Sequence, residues 1–401
     1  MRNYGMWRVL QQDAGGRKSM ILRKLEPQER AETRKLWEEV FPEDTKEFLD
    51  YYYFVKTGIN EIYVIEADGE IRSMIQLNPY KIQIMDRECA SHYIIAVSTQ
   101  KEYRGRGFMR SLLIKSMEEM YGSKEPFTFL MPASEKIYTP YDFRYIYQQH
   151  CGVIDEEYKT DAEENGKETV CSDAGVFEAG ELAEFFHRHF SGIWNVYALR
   201  DETYYRTMIL EQQSEHGGVR VLRCGGEIIG IFAYAREEEL EIREPLILPG
   251  YEREFEKAVS ELAASGEKVK VYGCPERDGI ENCSRRPIIM ARILYLPALM
   301  ESMKTAADIN MDCSFAVIDP ILRKNSTSWH IWSCEGEEEV HMKEAEDSEG
   351  VFPIAELTEF LFGVKTADEL KDSEGVILTE RLEHELGKLR KLNRVFLNEV
   401  V

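Results

Sequence analysis

The stretch VSTQKEYRGRGFMRSLL, Val97 to Leu113, joins an apolar run (HYIIAV, 92–97) to a long amphipathic one (FMRSLLIKSMEEMY, 108–121). Such a junction reads as a strand that stops and a helix that starts. The first N–H groups of a helix have no intrahelical partner, and its dipole adds positive charge at the same spot, so the junction suits an anion. Gly105 and Gly107 let the backbone approach an oxyanion where a β-carbon would obstruct it. Arg104 and Arg106 add charge and can grip phosphate oxygens in a forked geometry. No GKS or GKT follows, so this is not a Walker loop, and neither GxGxxG nor a βαβ unit marks a Rossmann site. A basic helix start making surface salt bridges would use the same residues. The hairpins before it and the helix after it favour a pyrophosphate-binding loop.

Outward from that junction the pattern is strand and helix in alternation. Before it stand a short strand (ILRKL, from Ile21), two helical stretches (27–40 and 45–56) and a hairpin, EIYVIEADGEIRSMIQL (61–77), with Asp68-Gly69 as the tight turn. A second hairpin pairs YKIQIM with ECASHYIIAV across Asp86-Arg87. After the junction come the buried-looking strand FTFLM (127–131) and a tyrosine-rich segment ending at His150. This order predicts an α+β (mixed α/β) layer. Further on, RVLRCGGEIIGIFAY (220–234) lines up with YVIEADGEIRSMIQL (63–77) at an offset of 157, which points to internal duplication. The second copy has no arginine–glycine junction, so as a repeat it has lost that site. The last hundred residues differ again. Strands CSFAVID (313–319) and SWHIWS (328–333) precede an acidic solvated run, helices near 353–363 and 378–391, and the apolar ending VFLNEVV.

Composition narrows the class. A chain of 401 residues exceeds one ordinary core, and 43% apolar with 11% aromatic residues is ample for globular domains. No apolar run nears the roughly 20 residues that span a bilayer, and none reads as a signal peptide. The eight cysteines are scattered without a CxxC pair, which suggests reduced thiols and a cytoplasmic protein. A net charge of −23 disfavours nucleic acid and anionic membrane, and its field attracts cationic ligands or simply keeps the chain soluble. The triplet His187, Arg188, His189 has nothing nearby to complete a metal set and reads as a solvated helix face, so no metal is expected. Residues 1–19 lack periodicity and read as a poorly ordered extension.

The junction resembles the acyl-CoA-binding motif of the GNAT N-acetyltransferase superfamily, a valine-bearing strand followed by Arg-x-x-Gly. Met109 replaces the usual third small residue, a departure shared with the Eis-like (enhanced intracellular survival) branch. The downstream segment ASEKIYTPYDFRY (133–145) resembles that branch as well. The resemblance implies a catalytic GNAT domain (20–155), a degenerate second GNAT-like domain (156–292) and a domain similar to sterol carrier proteins (293–401). It implies acetyl-CoA as cosubstrate, with Val97 and Thr99 along the pantetheine arm, Arg104, Gly105, Arg106 and Gly107 at the pyrophosphate, and Ser134 as a neighbour. Tyr138 takes the place of the general acid that reprotonates the thiolate, and the α-carboxylate of Val401 that of the base. An α-carboxyl ordinarily titrates near about 3.5, so burial would have to raise it. Glu399 is a substitute base or an amine-binding carboxylate. Val400 stands where the better-known members carry an acid, which weakens the link to aminoglycosides.

The expectation is therefore an N-acetyltransferase acting on a primary amine of a cationic small molecule, aminoglycoside-like or polyamine-like, and a homo-oligomer (trimer or hexamer). Acetylation of protein lysines or N-termini would keep the chemistry and change only the partner. A non-enzymatic CoA sensor, or a lipid binder using the sterol-carrier-like domain, is the competing class.

Overall fold

The computed structural model describes residues 7–8, 20–154, 169–236, 239–264, 267–273 and 281–399. Val401, and with it the expected base, lies outside them, as does the extension before Met20 except Trp7–Arg8, which pairs with strand Met20–Lys24. One mixed sheet of fifteen strands dominates. Its central path begins with Trp7–Arg8, Met20–Lys24, Glu61–Ala67, Glu70–Ile84, Arg87–Thr99 and Phe127–Leu130. It continues through Glu281–Ile293, Arg144–Ile154, Val269–Tyr272, Leu240–Ile247, Glu227–Arg236, Gly218–Cys224 and Thr169–Asp173.

The two halves of this path mirror each other. Strand Glu61–Ala67 corresponds to Gly218–Cys224 at an offset of 157, and both end in left-handed turn residues, Asp68-Gly69 and Gly225-Gly226. The irregularities repeat too. The ladder slips between Ile65 and Glu66 and again between Leu222 and Arg223, then between Met74 and Gln76 and again between Ile231 and Ala233. Bulges in the same register twice are a duplicated backbone, not a chance likeness of two hairpins. At the centre the units exchange strands. Glu281–Ile293 lies between Phe127–Leu130 and Arg144–Ile154, and Arg144–Ile154 in turn pairs with Val269–Tyr272.

The second hairpin turns one residue earlier than its sequence suggests. Ile84 pairs with Arg87, so Met85-Asp86 makes the turn, with Met85 left-handed and its N–H donating to the Asn195 carbonyl. Helix Phe108–Gly122 lays Phe108, Leu112, Leu113, Met117 and Met120 against Tyr63, Ile75, Leu77 and Ile94, the spacing that keeps one helical face on the sheet.

The C-terminal part is a four-stranded sheet (Met311–Ile318, Ser328–Ser333, His341–Ala345, Val351–Pro353) packed with helix Ile354–Leu361. Its core is continuous with that of the first unit, where Phe362 meets Phe127 edge-on at 5.5 Å. Arg292, fully buried, clamps the two together. It donates to Asp319 at 2.6 Å and to the Tyr141 and Ile293 carbonyls. The chain then returns to the large sheet. Val395–Phe396 runs parallel to Val196–Ala198, which pairs with Ile82–Ile84, and Phe396 stacks on Trp194 with ring centroids 4.0 Å apart. The apolar ending is thus tucked in as far as Glu399, with Val395, Phe396 and Leu397 all buried.

Candidate active site

Strands Arg87–Thr99 and Phe127–Leu130 run parallel but pair at only one point, Tyr93 with Phe129, and then splay. A bulge drives the splay. Gln76 faces Ile95 and Met74 faces Ser98, so the partner strand lacks one residue, and Ala96 takes a left-handed φ of 51°. A non-glycine residue there is strained, and such strain collects at functional positions. One edge of Ile95–Thr99 pairs with Glu70–Ile84, and the edge facing Phe127–Leu130 has no strand partner among the described residues. Val97 is half-buried against the helix side of the sheet, and the Thr99 hydroxyl lies 2.7 Å from that of Ser73.

Beyond Thr99 the chain makes a 3₁₀ turn, Lys101–Tyr103, and the loop Arg104–Gly107. Gly105 and Gly107 have φ of 74° and 79°, and a β-carbon at either would meet open space. The glycines are therefore there for backbone conformation and for a ligand's approach rather than for packing. Gly107 caps helix Phe108–Gly122 without a side-chain hydrogen bond, so the first N–H groups stay available. Arg104 donates Nε–H to the Thr99 carbonyl, and Arg106 donates to the Glu102 carbonyl while lying over the Tyr103 ring at 4.7 Å. Neither guanidinium pairs with a carboxylate among the described residues, which is unusual in a chain with 73 acidic residues. Helix N-terminus, two open glycines and two arginines without a carboxylate partner among the described residues meet the needs of a pyrophosphate, and the fork meets those of an extended amide-bearing arm.

On the other arm of the fork, Ser134 is exposed and precedes the short helix Glu135–Tyr138. Tyr138 is buried, its ring edge-on to Phe143 at 5.9 Å, and burial pushes its phenol up to about 12. A phenol so placed keeps its proton at neutral pH and can give it to a thiolate.

A cavity of about 720 Å³ opens beside the fork, between the first unit and its repeat. It meets the fork at Met131 and at Tyr80, whose ring contacts Tyr93 (6.4 Å) and Phe129 (5.9 Å), the pair where the splay begins. Its charged wall mixes signs: the first unit supplies Lys56 and Lys81, and the second unit and the chain's end supply Glu211, Arg243, Glu244 and Glu399. Glu399 is 4% exposed, and Tyr204 donates its phenol O–H to Oε1 at 3.2 Å. Buried Arg200 forks onto Glu244 with two 2.9 Å bonds and stands 3.6 Å from Glu399. Burial, opposed by Arg200 and reinforced by Glu244, pushes the Glu399 carboxyl up to about 7.

Sequence reasoning placed Val97, Thr99, Arg104, Gly105, Arg106 and Gly107 on one continuous fork and loop, which the fold brings together, with Ser134 and Tyr138 following the opposite arm. It missed Arg200, Tyr204 and Glu244. Glu244 has a left-handed φ of 53° at the bulge matching that of Ala96, but it lies 148 positions on rather than 157, so the repeat read from the sequence does not reach it. His187, Arg188 and His189 are exposed on the last turn of helix Ala179–His189. Among the described residues, no cluster of His, Cys, Asp or Glu is arranged to hold a metal ion, and no helix is long and apolar enough to cross a membrane.

Comparison with known proteins agrees with this geometry. The acetyltransferase (GNAT) domain model matches residues 22–146, and the sterol carrier protein domain model matches residues 296–400. A search of the curated proteins finds no match. Among solved structures, a conserved protein from Enterococcus faecalis V583, described as a probable N-acyltransferase, is 14% identical with a TM-score of 0.81, covering 96% of this chain and 100% of that one. A GCN5-related N-acetyltransferase from Kribbella flavida is 15% identical with a TM-score of 0.75, over 96% and 99%. Eis1 from Mycobacterium abscessus is 12% identical with a TM-score of 0.67, over 95% and 100%. These likenesses establish the shared mixed α/β architecture. The first domain match gives the chain a GNAT acetyltransferase domain, and the second gives it a C-terminal sterol carrier protein-like domain.

Proposed function

We propose that the protein is an acetyl-CoA-dependent N-acetyltransferase of the Eis-like kind, transferring acetyl to a primary amine of a cationic small molecule, aminoglycoside-like or polyamine-like. The observation that carries this reading is the continuity of the loop, the fork and the carboxylate-bearing cavity. The loop residues Gly105 and Gly107, with Arg104 and Arg106, hold the pyrophosphate. The strand Ile95–Thr99 holds the pantetheine arm and presents the thioester where Tyr93 and Phe129 part. The acceptor amine enters from the cavity toward the carboxylate of Glu399, in a lining that also carries the cations Lys56, Lys81 and Arg243. Nitrogen attacks the thioester carbonyl carbon, the C–S bond breaks, and Tyr138 gives its proton to the leaving sulfur. The Eis-like placement draws on the Ser-Glu…Ile-Tyr…Phe-x-Tyr segment and on a chain end that enters the first unit's sheet. A cytoplasmic homo-oligomer, a trimer or hexamer, completes the proposal.

The test is acetyl-CoA-dependent thiol release over polyamines, aminoglycosides and lysine peptides, beside calorimetric acetyl-CoA binding. Turnover with one amine class is expected, with binding lost in the Arg104→Ala, Arg106→Ala double variant. Tight acetyl-CoA binding without turnover toward any amine would refute the transferase reading.

A further inference from the structure

The second unit keeps the backbone of a cofactor fork but not its loop. Strands Leu240–Ile247 and Val269–Tyr272 run parallel, paired from Glu241–Lys270 to Arg243–Tyr272, and the bulge at Glu244 repeats the one at Ala96. In the first unit that fork is open. In the second it receives the chain's own end. Asn398 accepts from Tyr147 at 2.7 Å and from Gln149 at 3.2 Å, and a β-carbon on Gly273 would stand only 2.9 Å from its Nδ2. The next residue is Glu399. It lines the cavity, Tyr204 and Arg200 hold its Oε1, and Oε2 has no hydrogen-bond partner among the described residues. A buried carboxylate oxygen without a partner is costly, and a fold that keeps one in a ligand cavity is reserving it for a donor.

We propose that Glu399 is the base of the acetyl transfer, taking the proton from the acceptor ammonium through Oε2, with Arg200 and Tyr204 as positioning residues. This rests on the N-acetyltransferase reading and replaces the terminal carboxylate with a side chain two residues before it. The proton balance closes. The acceptor R-NH₃⁺ gives one proton to Glu399, which becomes the neutral acid, and the freed amine attacks the thioester carbon. The tetrahedral adduct gives up a second N–H proton as the C–S bond breaks. Tyr138 protonates the sulfur and recovers that second proton, so the products are amide, free thiol and one proton that Glu399 returns to solvent.

The groups facing Glu399 come from five elements. They are Arg200 before helix Glu202–Ser214, Tyr204 on it, Glu244 on its strand, and the phenols of Tyr80, Tyr93 and Tyr147. Arg200 is divided between Glu244 and Glu399, so it neutralises one carboxylate fully and the other in part. That division leaves a carboxylate that still binds a proton near neutral pH.

The test uses the full chain with acetyl-CoA and the amine that turns over, followed from pH 6 to 10. Glu399→Gln should lower kcat about 100-fold at pH 7. The acid limb of the kcat profile should disappear, and activity should recover as pH passes the amine's own pKa, where the amine arrives already neutral. Acetyl-CoA affinity should not change. A variant with unchanged kcat and a raised KM would overturn the proposal, leaving Glu399 as a docking carboxylate and the base elsewhere, the Val401 carboxylate included. Tyr204→Phe gives an independent reading that does not remove the carboxylate. Loss of its hydrogen bond should move the acid limb to higher pH, and an unmoved limb would count against Glu399. A wild-type protein inert toward every amine would refute the transferase reading itself, a different outcome from an active wild type with an unaffected variant.

Discussion

Replacing Gly107 by alanine separates the two duties of the loop, because the structure contains its own control. Gly107 has φ 79° and ψ 11°, and a β-carbon there would meet no atom within 4 Å. The structural cost is therefore the backbone term alone, about 1–2 kcal/mol for an L-residue in the left-handed region. Gly226, in the hairpin that joins Gly218–Cys224 to Glu227–Arg236, has φ 91° and equally open space, so Gly226→Ala carries the same backbone cost in the second unit, outside the loop and fork. Thermal unfolding without ligand should show the two variants losing similar stability. With acetyl-CoA at 100 times the wild-type Kd, the wild type and Gly226→Ala should each gain about 2.7 kcal/mol. A tenfold weaker Kd in Gly107→Ala cuts that gain to about 1.4 kcal/mol, because the new methyl group and the displaced N–H groups act on the anion. Equal ligand-induced shifts in the two glycine variants would refute the pyrophosphate role of the loop.

Tyr138→Phe should reduce kcat by about 100-fold while leaving acetyl-CoA affinity intact, as stopped-assay kinetics and calorimetry would report. Since burial holds that phenol near 12, no basic limb below about pH 11 should trace to it. Arg292→Met should cost about 3–5 kcal/mol in urea unfolding, because it leaves Asp319 buried and short of its cation; a loss under 1 kcal/mol would show that the clamp is not a structural necessity. Glu399 links stability to pH in a definite direction. Its carboxyl is raised from 4.5 to about 7, so its contribution is whole below pH 4.5 and is lost as pH rises through 7. Glu399→Gln should then be the more stable protein above pH 8, by about 3 kcal/mol, with the gap closing below pH 5. A gap that does not depend on pH would mean that Glu399 does not titrate in the fold.

The loop from Val97 to Leu113 was legible because everything it needs is local. A strand end, two glycines, two arginines and an amphipathic helix lie within seventeen consecutive residues. Ser134 and Tyr138 came instead from the resemblance carried by the segment 133–145, and in the fold they follow strand Phe127–Leu130 after a short connection. The duplication was visible in one shared hairpin, and the structure extended it to matching bulges and turns. The sequence also made the apolar ending look buried, because Val395, Phe396 and Leu397 would be an unlikely free tail.

What the tertiary structure alone decided is long-range. Strand Glu281–Ile293 settles beside Phe127–Leu130, across the first unit, because strand pairing depends on available edges and not on chain order. Arg200, Tyr204 and Glu244 look in sequence like ordinary members of a degenerate repeat. They become a site only when a bulge tilts Glu244 toward Arg200 and the C-terminal segment delivers Glu399 to the same cation. No local spacing encodes that meeting. Residues some two hundred positions apart share one buried charge there because each is cheaper to bury beside the other than alone.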